Sequence, residues 1–121
     1  MKISILLPYK ENFSPDYAGA VSIFIKDTVK ESKYKNNITV FGNTKLKNRF
    51  KVNYINLKYD KSIIKSSSKS YILEFLKKEK KQRSDIIEFH NRPLYLKYLK
   101  DLSYTKKILY FHNNPLEMNG S

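Results

Sequence analysis

The sequence predicts an α/β protein in which a mainly parallel sheet lies between two layers of helices. Short, continuous apolar runs read as strands buried on both faces, as in a parallel sheet. Longer segments between them repeat their apolar residues at helical spacing. The elements alternate in the order β-α-β-β-α-β-α-β, which favours crossovers over hairpins. At 121 residues the chain fits one domain, residues 1–121, able to bury about two-thirds of its unfolded surface.

Ile3 to Pro8 is the first such run, with Ile3 to Leu7 expected at the centre of the sheet. Tyr9 to Gly19 is a loop punctuated by Asn12, Ser14, Pro15, Asp16 and Gly19. From Ala20, Val21, Phe24, Ile25, Thr28 and Val29 form one stripe of an amphipathic helix that ends near Ser32 to Lys35. Ile38 to Phe41 is a β-branched run closed by Gly42-Asn43, and Val52 to Leu57 alternates as a strand. Lys58 to Lys69 is a polar connection whose serines at 66 to 68 can cap a second helix. That helix carries Tyr71, Ile72, Phe75 and Leu76 and ends in Lys77-Lys78-Glu79-Lys80-Lys81, a solvated basic turn. Ile86 to His90 is a strand, Asn91 and Pro93 start a short helix bearing Tyr95, Tyr98, Leu99 and Leu102, and Ile108 to His112 is the last strand. No helix follows to cover it, so the chain reads as the front part of something longer, expected to be marginal or to self-associate alone.

Composition narrows the classes of function. A hydrophobic share of 40% and an aromatic share of 14% support a packed core. Cysteine is absent, which excludes a disulfide framework and a thiolate metal site. No apolar run approaches the roughly 20 residues of a membrane span, and Pro8 and Lys10-Glu11 stop the first run too early for a signal peptide. A cytoplasmic protein is the default expectation. The net charge of +13 attracts anionic partners, such as the inner face of a membrane. Yet arginine occurs only at Arg49, Arg83 and Arg92, so bidentate phosphate recognition has few carriers. No nucleic-acid-binding signature is visible, and none is expected as a partner.

The only two histidines end two of the predicted strands in the same letters. Phe89-His90-Asn91 precedes Arg92-Pro93, and Phe111-His112-Asn113 precedes Asn114-Pro115. In an open α/β sheet ligands bind beyond the carboxyl ends of the strands. A third segment, Ala18-Gly19-Ala20, brings a helix N-terminus to that edge, where free N–H groups suit phosphate. These three segments are expected to share one polar site. The glycine-rich dinucleotide fingerprint and the Walker A loop are both absent. Two histidines without an acidic cluster are too few for a metal, so none is expected.

The segments Ile87-Glu88-Phe89-His90-Asn91-Arg92-Pro93 and Phe111 to Ser121, with the small-residue loop after the first strand, resemble the front of a glycosyltransferase family 4 protein. Many members carry Gly-Gly where this chain has Ala18-Gly19. The resemblance implies a Rossmann-like three-layer sandwich, the N-terminal half of a GT-B glycosyltransferase of the lipopolysaccharide or capsule type. It implies retaining, metal-independent transfer of a sugar from a nucleotide-diphosphate sugar, without a further cofactor, to a glycan or lipid-linked acceptor. By that resemblance His112 is catalytic, contacting the transferred sugar. Ala18, Gly19 and Ala20 approach the donor phosphates, and His90, Asn91, Arg92 and Asn113 line the acceptor side. The nucleotide-binding C-terminal half is missing, so the chain alone is expected to be inactive.

Two rivals follow from the same residues. One is a basic, non-catalytic α/β module that binds an anionic membrane surface or a phosphorylated ligand. The other is a small phosphate-binding or metallophosphoesterase-like enzyme that uses both histidines.

Overall fold

In the computed structural model, which describes residues 1–59 and 67–112, the elements follow the predicted order. They are β1 (Ile3–Leu6), α1 (Ala20–Glu31), β2 (Ile38–Gly42), β3 (Tyr54–Asn56), α2 (Ser67–Gln82), β4 (Ile86–His90), α3 (Leu96–Leu99) and β5 (Lys106–Tyr110). The five strands form one all-parallel sheet in the order β3-β2-β1-β4-β5, with β1 central as the apolar run predicts. The fold is Rossmann-like α/β.

The side-chain alternation of β1 explains the three layers. Ile5 and Leu7 pack with Val21, Ile25 and Val29 of α1, while Leu6 packs with Tyr71, Ile72, Phe75 and Leu76 of α2 and with Tyr95 and Leu99 around α3. The crossover through α1 moves from β1 to β2; those through α2 and α3 move the opposite way. Crossovers of one hand then place α1 on one face and α2 and α3 on the other. No helix among the described residues is long and apolar enough to cross a membrane.

Three elements differ from expectation. The strand expected at Val52 to Leu57 contracts to Tyr54–Asn56, because Val52 N–H turns back to the Phe50 carbonyl at 3.0 Å. The last strand runs two residues earlier than Ile108 to His112, since pairing begins with Lys106 N–H on the Asp85 carbonyl at 3.0 Å. Lysines suit this position, the outer strand on that side of the sheet. Phe24 leaves the buried stripe: it is 39% exposed and lies against the rings of His90, Tyr110 and His112. The proposed capping position at residue 66 and the segment from 113 onward lie outside the described residues.

The basic turn of α2 hides an acid. Lys77, Lys80 and Lys81 are exposed as expected, but Glu79 between them is completely buried. Its carboxylate accepts from Ser84 N–H (2.7 Å), Ser84 Oγ–H (2.6 Å), Gln82 Nε2–H (3.2 Å) and Tyr104 Oη–H (2.7 Å). Ser84 in turn meets Ser4 of β1 at 2.6 Å. Burial, then the bond to Glu79, pushes the Tyr104 phenol up to about 12, keeping it a donor. The cluster ties the α2–β4 turn to the central strand. Truncation in Glu79→Ala strands several buried donors and should cost about 2–4 kcal/mol of unfolding free energy. Urea denaturation checks this, and an unchanged midpoint would contradict it.

Candidate functional site at the carboxyl edge of the sheet

The connections after β1 and β4, adjacent strands, leave towards opposite faces of the sheet. This is the topological switch point, where α/β sheets open a crevice beyond their carboxyl ends. Both histidines meet beside it.

Period-two alternation in β4 sends Ile87 and Phe89 into the core under α2, and Glu88 and His90 towards α1. His90 is fully buried, with Nε2 2.7 Å from Glu88 Oε2 and Nδ1 2.7 Å from His112 Nε2. The two imidazoles stack with centroids 5.0 Å apart, and His90 also stacks on Tyr110, its register partner in β5. His112 lies past the end of β5, not within it.

Asn91 makes that placement possible. Its φ of 53° turns the chain into the left-handed region, which asparagine tolerates better than most residues. Asn91 N–H extends the ladder to the Tyr110 carbonyl (2.9 Å), and its Oδ1 accepts His112 N–H (2.7 Å). Pro93 then starts the 3₁₀ turn Pro93–Tyr95.

The Ala18-Gly19-Ala20 segment reaches the same edge and opens α1, with Gly19 at the N-cap. The anion position there is taken by the chain's own Glu11. Its Oε2 accepts Ser22 N–H at 3.2 Å and Ser22 Oγ–H at 2.8 Å, as an acid at a helix N-terminus should. The glycine leaves room for this approach: a Cβ at residue 19 would sit 2.6 Å from Glu11 Oε2 and push the carboxylate aside. The Glu11 charge is also felt at His112, so loop and histidine pair are electrostatic neighbours.

Arg92 turns elsewhere. It lines a cavity of about 310 Å³ on the α2/α3 side with Ser68, Lys69, Tyr95, Lys97 and Tyr98, and its Nη1 donates to the Asn91 carbonyl at 3.0 Å. The expected acceptor residues therefore divide, with His90 and Asn91 beside His112 and Arg92 in a separate basic cavity. Asn113 lies outside the described residues. A larger cleft of about 680 Å³, lined by Lys30, Lys35 and Lys51, belongs to the opposite, amino edge of the sheet.

Sequence reasoning missed Glu88 and Glu11. Glu88 was legible, because residues two apart on a strand share a face. Glu11 was not, since its reach depends on how the loop folds. Among the described residues no group of three or more His, Cys, Asp or Glu is placed to hold a metal ion. His90 Nδ1 and Nε2, His112 Nε2 and Glu88 Oε2 are bonded to one another. No protein-family model, curated protein or solved structure matches the chain.

Burial and the neighbouring His90 ring hold His112 below the usual imidazole value, against the opposing pull of Glu11 and Glu88. His112 should therefore titrate below about 6.5 by imidazole NMR. The unfolded chain binds this proton more readily between the folded value and about 6.5. The stability His112 contributes is thus present above that window and lost as pH falls through it. Phe24→Ala, which opens the ring to water, should move the midpoint up towards 6.5. A wild-type midpoint above 6.5 would contradict the assignment.

Proposed function

We propose that this chain is the acceptor-side domain of a retaining, metal-independent glycosyltransferase that uses a nucleotide-diphosphate sugar. The observation that carries the reading is the convergence of the His90–His112 pair and the Gly19 loop at the switch point of a parallel sheet. The partly exposed His112 imidazole suits a hydroxyl-rich ligand, and the exposed Phe24 and Tyr110 rings supply apolar walls.

In this reading His112 touches the transferred sugar and steadies charge that develops in the transition state. The donor diphosphate approaches Gly19 and the first turn of α1, and Glu11 must swing off Ser22 to admit it. Arg92, with Lys69 and Lys97 around its cavity, takes an anionic group of the glycan or lipid-linked acceptor. The nucleotide is held by a second domain, supplied on the same or another chain. A basic module docking on an anionic membrane is the second reading. It is favoured by exposed Leu94 and Leu96 beside Lys97 and Lys100.

Steady-state kinetics on the domain joined to its nucleotide-binding half test the proposal. His112→Ala should lower kcat by roughly a hundredfold, about 3 kcal/mol of transition-state stabilisation. Arg92→Ala should raise KM for the acceptor with little change in kcat. The unjoined chain should transfer no sugar. Unchanged turnover in His112→Ala would remove the catalytic assignment. Binding to anionic vesicles with no transfer by the joined protein would favour the membrane module.

A further inference from the structure

We propose that Glu88, His90 and His112 form a hydrogen-bonded relay whose direction is set by Glu88, so that His112 presents Nδ1 to a ligand hydroxyl as an acceptor. This deepens the reading of His112 as a ligand-facing residue, and names a hydroxyl donor as the group it takes.

The direction follows from the chain of contacts. A carboxylate oxygen only accepts, so His90 Nε2 must carry a proton to bond Glu88 Oε2 at 2.7 Å. In a neutral imidazole the other nitrogen then accepts, so the 2.7 Å contact between the rings requires His112 Nε2–H to donate to His90 Nδ1. His112 Nδ1 is left with a lone pair. Among the described residues no buried side-chain nitrogen or oxygen lacks a partner and none bonds this atom, so it is not sealed from solvent. Asn91 and Phe24 fix the ring in place, through the backbone bond and an edge contact at 4.9 Å.

Groups facing the pair are Glu88 from β4, Tyr110 from β5 and Glu11 from the loop after β1, with the uncharged Phe24 from α1. Glu88 is thus a positioning residue: it fixes whether His112 accepts from a hydroxyl or donates to one.

Long-range ¹H–¹⁵N NMR of the imidazoles in the full chain reads each tautomer directly. At neutral pH both rings should be Nε2–H tautomers. Glu88→Gln can donate as well as accept. It should mix or reverse the two tautomers, while the backbone amide spectrum stays folded. Glu88→Asp, too short to reach His90 equally well, should act in the same direction if the glutamine variant does not fold. An Nδ1–H tautomer for His112 in the wild type would overturn the proposal. So would a folded Glu88→Gln protein with both tautomers unchanged. Neither outcome depends on sugar transfer, so failure here and failure of the kinetic test are separable.

Discussion

Asn91 is the residue on which the geometry of the polar edge depends. Its left-handed backbone ends β4 while its N–H still pairs with Tyr110, and its side chain reaches across to hold the backbone of His112. A residue with a branched or longer side chain would meet the steric cost of that φ and could not offer the same short amide oxygen. With the bend in place, His90 becomes the last inward side chain of one strand. His112 is then fastened above it from the next strand along. The stacking, the 2.7 Å contact between imidazoles and the placement of Phe24 follow from those two bonds.

Charge at this edge runs against the rest of the molecule. The chain carries a formal net charge of +13, yet the charged side chains that act on the histidine pair are the carboxylates Glu88 and Glu11. One orients a ring, and the other occupies the helix N-terminus that an incoming phosphate would use. Cations gather instead at the Arg92 cavity and at the cleft on the amino edge. The histidine pair is thus furnished for hydrogen bonding to neutral polar groups, and an anion reaching this edge must first displace Glu11 from Ser22.

Much of the fold was legible because its signals are local. The buried run of β1, the α1 stripe at Val21, Ile25 and Val29, and the α2 stripe at Ile72, Phe75 and Leu76 each declare their period within a few residues. Strand limits were less legible, since β5 begins where its partner offers a carbonyl and not where its own apolar run begins. Glu79 hid inside a lysine run although it lies seven residues after Ile72, on the buried stripe. At the site, the two Phe-His-Asn ends pointed to one shared edge. The divergence of Arg92 from His90 depended on the turn at Asn91, which no local pattern announces.

In the proposed function the ligand binds at the carboxyl edge of the sheet, at the switch point. A titration of backbone amide and imidazole resonances with a nucleotide-diphosphate sugar at millimolar concentration reads this binding residue by residue. Shifts should concentrate at Gly19 to Ser22, Asn91 and His112, with the amide of Ser22 moving as Glu11 is displaced. Shifts confined to Lys30, Lys35 and Lys51 at the amino edge, with the histidine pair unmoved, would contradict it.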